Sequence, residues 1–238
     1  MLLESSHYLK KVEGVMAKMN QPIEFNNNRN NFINDAIDRI VVEIHLKKQK
    51  SGYKKLMLTG CEPGVGTTTV AISLAISMAA SGWKTVLIDG DLRKTANHRR
   101  LIQKAEIGLS DYLSGEVLYP QTIYDTNHKN LFYIPSGSKA VNPISLLCSD
   151  RVDEVLNQLC QDYDYIILDM PSITSSVDPN VMAGKADGVI LISEYDKTDI
   201  RNVRRSRDII KKAGGNIAGI ILNKINTKEY GHVMGRNR

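Results

Sequence analysis

The stretch Cys61-Glu-Pro-Gly-Val-Gly-Thr-Thr-Thr69 decides the fold of this chain. It follows the short apolar run Lys55–Gly60 and precedes residues Val70–Ala80, whose apolar and small side chains predict a helix. A strand, a glycine-rich turn and a helix in this order are the context that the phosphate-binding loop pattern G-x-x-x-x-G-K-S/T requires. The order therefore predicts a nucleotide-binding domain of the P-loop type.

The loop keeps part of that pattern but lacks its lysine. Gly66 and Thr68 occupy the second glycine and the Ser/Thr positions, whereas Cys61 replaces the first glycine and Thr67 replaces the lysine. Backbone N–H groups of the loop and of the helix N-terminus can still surround an anion. The positive charge that stabilises the β- and γ-phosphates during transfer is missing. We therefore expect nucleotide binding with slow chemistry. The predicted nucleotide-binding residues of the loop are Gly64, Val65, Gly66, Thr67, Thr68 and Thr69.

Further apolar runs follow the loop, and helical patterns separate most of them. Continuous apolar strands are buried on both faces, and alternation of strands with helices is typical of a doubly wound, mainly parallel sheet. We therefore predict an α/β fold of the P-loop NTPase type. After the first strand, the predicted strands cover residues 85–89, 131–135, 165–169, 188–193 and 217–223.

The chain divides into three predicted segments: an N-terminal arm (1–50), a nucleotide-binding domain (51–225) and a polar, basic tail (226–238). Within the arm, apolar residues recur at three- and four-residue spacing over residues 32–46, which predicts an amphipathic helix. The asparagine-rich residues 26–31 predict a loop before it. The apolar stripe of the helix is expected to pack on the chain's own domain or on a partner helix.

Composition limits the classes of protein that fit. The 238 residues, 42% hydrophobic and 24% charged, suit one globular α/β domain with a short arm. Cys61, Cys148 and Cys160 show neither metal-ligand spacing nor a disulfide framework, which favours a reducing, cytoplasmic location. No apolar stretch is long enough to span a bilayer. We interpret the net charge of +5 as a solvated surface and expect no nucleic-acid partner. Attraction to an anionic membrane face or to nucleic acid is the alternative.

Three carboxylates lie at or just after the ends of predicted strands, where open parallel sheets bind their ligands. They are Asp89, Asp91 and Asp169, and we predict all three as catalytic candidates. Asp169 ends a strand of Walker B form, so it is expected to hold Mg2+ together with Thr68 and Asp89. Asp89 is the candidate general base. The alternative is that these residues serve only as caps and turn residues.

A cation near the loop could replace the missing lysine. Lys54, Lys55, Arg93 and Lys94 lie on or near the flanking strands. Arg93 is expected to be the best placed, two residues after Asp91, and is predicted to bind the nucleotide. A plain surface role for all four is the alternative.

The same glycines allow a second interpretation. Gly64-x-Gly66 followed by Asp89 at a strand end is also similar to a dinucleotide-binding fingerprint, in which the acid binds a ribose hydroxyl. Thr69 stands where that fingerprint needs a third glycine, which disfavours it.

Several segments together resemble the bacterial tyrosine kinases of capsule and exopolysaccharide loci. The similar segments, in the family's order, are residues 62–66, 86–93, 108–116, 134–147, 163–171 and 219–224. The resemblance implies ATP or ADP with Mg2+ as cofactors, tyrosine as the phosphoryl acceptor, and Asn223 as the residue that reads the adenine base. It also implies a location on the inner face of the membrane, through the cytoplasmic tails of a transmembrane polysaccharide chain-length modulator. Partition and septum-site ATPases are a remoter alternative in the same wider class. They carry a second lysine early in the loop, where this chain has Glu62.

The chain departs from that family in three parts. Thr67 replaces the loop lysine. Asp38, Val41 and Ile44 stand where the resemblance implies arginines that build a ring of subunits, and Tyr230 alone remains of the tyrosine-rich tail. Chemistry, assembly and substrate tail are thus altered together. We expect a catalytically weakened regulator that is a monomer or small oligomer, with an active tyrosine kinase as the alternative.

Overall fold

The computed structural model describes residues 22–25, 31–94, 107–226 and 229–230. Residues 1–21, most of the predicted asparagine-rich loop and most of the predicted tail lie outside the described residues. Within the described ranges, no helix combines the length and the apolar character needed to cross a membrane.

A seven-stranded sheet organises the described residues. Its strands are β1 Lys55–Gly60, β2 Thr85–Asp89, β3 Tyr124–Asp125, β4 Leu131–Ile134, β5 Tyr165–Asp169, β6 Gly188–Glu194 and β7 Ile217–Asn223. They lie in the order β3-β4-β2-β5-β1-β6-β7, and all neighbours are parallel except β3 and β4. The predicted mainly parallel sheet is confirmed. The two-residue edge strand β3 was not predicted, since two residues carry no periodicity.

Helices cover both faces of the sheet. They are α1 Asn31–Ser51, α2 Thr67–Ala80, α3 Leu109–Leu113, α4 Pro143–Leu147, α5 Asp150–Asp162, α6 Asp178–Ala183 and α7 Ile200–Lys212. Buried residues of α1 and α2 form one apolar core with Leu56 and Leu58, whereas those of α5, α6 and α7 form another with the intervening Met57. Successive side chains of a strand point to opposite faces, so each apolar run of the sequence supplies both cores.

Helix α1 packs on the chain's own domain. Ile37, Val41 and Ile44 are buried in the core that α2 shares. The predicted helix, 32–46, is too short, because α1 continues through the basic residues to Ser51. Lysine and glutamine are good helix formers. The helix ends before Gly52, whose φ of 72° is the left-handed conformation that glycine adopts readily.

The short segment 22–25 lies beside the edge of the sheet at β3 and β4. Ile23 forms an isolated parallel bridge with Thr126, and Phe25 is buried with its ring centroid 5.4 Å from that of Tyr133. This contact brings a residue of the N-terminal arm to the carboxyl end of the sheet.

Candidate functional site

A cavity of about 350 Å³ opens at the carboxyl ends of β1, β2 and β5. This is the edge at which open parallel sheets bind ligands. Most of the predicted site residues line it: Gly64, Gly66, Thr67, Thr68, Thr69, Asp89, Asp91 and Asp169. Among the described residues, Val65, Arg93 and Asn223 were also predicted but are not part of the lining. The structure therefore brings the loop and the three carboxylates together around one space.

The loop between β1 and α2 has the shape of an anion cradle. Gly64 and Gly66 have φ values of 79° and 93°, a conformation that residues other than glycine rarely adopt. Gly66 is the N-cap of α2, so the first N–H groups of the helix have no carbonyl partner within it. These N–H groups and the positive end of the helix dipole favour an anion at this position.

The end of β7 holds the loop in place. Asn223 Nδ2 donates to the carbonyl oxygen of Val65 at 2.8 Å, and Lys224 Nζ donates to that of Gly64 at 2.8 Å. A Cβ added at Gly66 would lie 2.4 Å from Asn223 Nδ2, so this position accepts only glycine without movement. Asn223 therefore lies against the loop. The contribution of Lys224 was not predicted, because nothing in the local pattern shows that it reaches residues about 160 positions earlier.

Asp169 is a buried carboxylate with unused bonding capacity. The carboxylate accepts a hydrogen bond from the Thr68 side chain, but its Oδ1 atom has no hydrogen-bond partner among the described residues. Burial, followed by the nearby charge of Asp89, raises the pKa of Asp169 well above its ordinary value. An unpaired buried carboxylate oxygen is costly unless a proton or a cation binds it. The residues therefore fit a divalent cation at this point.

Asp89 lies beside Asp169 because β2 and β5 pair in register at these two residues. Its Oδ1 accepts a hydrogen bond from the Asp91 N–H at 3.1 Å. Burial is the main cause that raises the pKa of Asp89 to about 6. In the described part of the chain, no group of three or more His, Cys, Asp or Glu residues encloses a metal position. The adjacent Asp89 and Asp169 carboxylates suit Mg2+, which usually keeps several waters and shares its remaining positions with one or two carboxylates and phosphates.

The expected position of Arg93 is corrected by the structure. Its guanidinium donates two hydrogen bonds to the fully buried carboxylate of Asp178, at 2.7 and 2.8 Å. The adjacent Lys94 lines the cavity instead, with its Nζ 2.8 Å from Asp91 Oδ2. Arg93 is directed away from the cavity because its guanidinium compensates the buried charge of Asp178.

The cavity also contains residues that the sequence did not indicate. Phe25, Ile72, Leu87 and Tyr133 supply apolar lining. Burial raises the pKa of Tyr133 well above its ordinary value, and the charges of the nearby carboxylates raise it further. Phe25 could not be found from local patterns, because its place depends on a bridge to residues about 100 positions later.

Comparisons with known proteins agree with this fold. Residues 53–216 match the protein family described as an AAA domain. The chain is 35% identical over 181 residues to the tyrosine-protein kinase CpsD of Streptococcus pneumoniae serotype 4, a match that covers 75% of this chain and 80% of that protein. Among solved structures, the kinase domain of the Escherichia coli tyrosine kinase ETK has a TM-score of 0.76 at 27% identity, covering 82% of this chain and 78% of that chain. The chimerical protein CapA2B2 has a TM-score of 0.79 at 24% identity, covering 90% of this chain and 99% of that chain, and shows the likeness of fold.

Proposed function

Since the chain belongs to the bacterial tyrosine-kinase family of capsule and exopolysaccharide systems, we propose that it binds ATP or ADP with Mg2+ and acts chiefly as a nucleotide-responsive regulator with weakened phosphoryl transfer. The observation that carries this proposal is a contrast within one cavity. The loop backbone, Thr68 and Asp169 meet in this cavity, which supports a metal–nucleotide site, whereas Thr67 stands where the sequence pattern expects the loop lysine.

Each residue of the cavity has a distinct proposed role. The N–H groups from Gly64 to Thr69 surround the phosphates. Thr68 and the free oxygen of Asp169 would hold Mg2+, which would supply positive charge against the charge that develops on the phosphates. Asp89, with a pKa of about 6, is mostly ionised at neutral pH and can accept a proton from a hydroxyl or assist in holding the metal.

Loss of the loop lysine lowers the rate more than it lowers binding. A pre-organised charge contributes most where negative charge develops during the reaction. Its removal therefore typically costs several kcal/mol of activation free energy, on the order of a hundredfold or more in rate. Binding retains the backbone donors and the metal.

An active tyrosine kinase is the second candidate function. The three carboxylates that line the cavity, Asp89, Asp91 and Asp169, favour it, because this reaction needs carboxylates that can hold a metal and accept a proton from the substrate hydroxyl. The two candidate functions use the same site and differ in the rate of phosphoryl transfer.

The proposed partner is a transmembrane polysaccharide chain-length modulator, whose cytoplasmic tails would place the protein at the inner face of the membrane. Self-association is proposed to be limited. Val41 and Ile44 stand at the positions where ring-forming arginines were expected, and both are buried against the chain's own core. Side chains used in this way cannot form acid–arginine contacts between subunits.

Calorimetry with ATP and ADP, in the presence and absence of Mg2+, tests the binding proposal. Asp169→Asn should weaken the contribution of Mg2+ to nucleotide affinity, whereas Asp125→Asn, an exposed carboxylate on β3, should not. No heat and no thermal shift with millimolar nucleotide and Mg2+ would overturn it. Phosphotyrosine formed at ordinary kinase rates by the unsubstituted protein would favour the active kinase instead.

A further inference from the structure

The charges lining the cavity do not suit a polyphosphate without an added cation. The lining contains four acidic side chains: Glu62, Asp89, Asp91 and Asp169. Of the described lining residues, Lys94 alone carries a cationic side chain. Mg2+ can neutralise part of this charge, but the loop itself offers the phosphates only neutral N–H and hydroxyl groups.

Among the residues that the structure describes, the other cations near the loop contact other groups or lie away from the cavity. Arg93 compensates the buried Asp178. Lys224 Nζ lies 2.7 Å from Glu194 Oε2 and 2.8 Å from the carbonyl oxygen of Gly64, so it serves to hold the loop. Lys54 and Lys55 lie at the amino end of β1, whereas the cavity lies at the carboxyl ends of the strands.

Lys94 is both close to the site and weakly held. Its Nζ lies 2.8 Å from Asp91 Oδ2, and its side chain is 80% exposed. Exposed ion pairs of this kind contribute about 0–1 kcal/mol, so the ammonium group can exchange Asp91 for a phosphate at little cost. The hydrogen bond and the charge of Asp91, and after them the charges of Asp89 and Asp169, raise the pKa of Lys94, which agrees with its position beside the three carboxylates.

We propose that Lys94 binds the terminal phosphates of the nucleotide, in place of the lysine that the loop lacks. The inference rests on the proposed function and specifies which side chain supplies the missing charge. Lysine acts as a point charge on a flexible stem, so Lys94 can reach the terminal phosphates from the β2 side of the cavity and aid binding, without the fixed position that lowers the barrier to transfer.

The test is calorimetry of Lys94→Ala with Mg2+ and ATP, ADP or AMP. Loss of a hydrogen bond to a charged group should weaken ATP binding by about 10- to 100-fold. The effect on AMP should be small, because AMP lacks the terminal phosphates. Lys94→Arg should retain most of the affinity. Lys129→Ala is the matched control. It removes an exposed lysine just before β4, at the amino ends of the strands and away from the cavity at their carboxyl ends.

A double-mutant cycle with Thr67→Lys separates a substitute charge from an independent contact. If Lys94 takes the place of the loop lysine, Lys94→Ala should weaken ATP binding much less when residue 67 is lysine. Equal losses in the two backgrounds would overturn the inference, as would Lys94→Ala and Lys129→Ala proteins that bind ATP equally well. If the unsubstituted protein binds no nucleotide, the proposed function and this inference both fail. Binding that is insensitive to Lys94 overturns the inference alone.

Discussion

Asp89→Asn is expected to stabilise the nucleotide-free protein at neutral pH. Burial raises the pKa of Asp89 to about 6, so its ionised form is disfavoured in the folded state. In the unfolded chain the same group ionises near its ordinary value of about 3.9. The folded state therefore binds more protons between these two values, and stability falls as pH rises through that window. Asparagine has no charge, so it avoids the free-energy cost of burying an ionised carboxylate.

The size of this effect follows from the two pKa values. A pKa that is about 2 units higher in the folded than in the unfolded state lowers the free energy of unfolding by about 3 kcal/mol, and this loss is complete above pH 7. At pH 4.5 the Asp89 carboxyl of the unfolded chain is only partly ionised, and the loss in free energy of unfolding falls to about 1 kcal/mol. These values are upper limits, because the amide of asparagine must also find hydrogen-bond partners. For a chain of this length, each kcal/mol shifts Tm by about 2–4 °C.

Urea unfolding at pH 7.5 and pH 4.5 measures the difference, with the fluorescence of Trp83, the single tryptophan, as the probe. Asp125→Asn is the control for removing an exposed carboxylate. Mg2+ and nucleotide should reverse the order of stability at pH 7.5, because only the unsubstituted protein offers the Asp89 carboxylate near the metal. The reasoning is refuted if Asp89→Asn is no more stable than the parent at pH 7.5, or if its advantage is equal at both pH values.

Three further substitutions or measurements test other parts of the site and fold. Thr67→Lys should raise the rate of hydrolysis or of tyrosine phosphorylation by about a hundredfold, and an unchanged rate would show that the loop lysine is not what limits turnover. Arg93→Ala should lower the free energy of unfolding by about 2 kcal/mol, since it leaves the Asp178 carboxylate buried and unpaired, while nucleotide affinity measured by calorimetry stays unchanged. The reduction is smaller than for a fully buried pair because the guanidinium is partly exposed. Light scattering should find a monomer or small oligomer at physiological salt, and a stable octamer-sized particle would show that contacts other than acid–arginine pairs close a ring.

The fold could be predicted because its signals are local. Each central strand is a short apolar run, and the register that buries Met57 on one face and Leu58 on the other needs no information beyond alternation along the strand. The end of α1 could not be placed by apolar periodicity, since residues 47–51 are polar and remain helical by propensity and by contacts with the domain. Lys48, for example, donates to the carbonyl oxygen of Asp164 at 2.9 Å.

The carboxylates of the site were also predictable, whereas the cation was not. Asp89 and Asp169 end their strands, and parallel strands bring their carboxyl ends to one edge, so the sequence alone places them side by side. Arg93 and Lys94 are neighbours with similar chemistry, and no local pattern distinguishes which of them faces the cavity. The choice depends on Asp178, which lies 85 positions later and is fully buried at the start of α6. A guanidinium donates two parallel hydrogen bonds to a carboxylate, which matters more for the buried Asp178 than for a phosphate in contact with water. Arg93 therefore pairs with Asp178, and Lys94 faces the cavity.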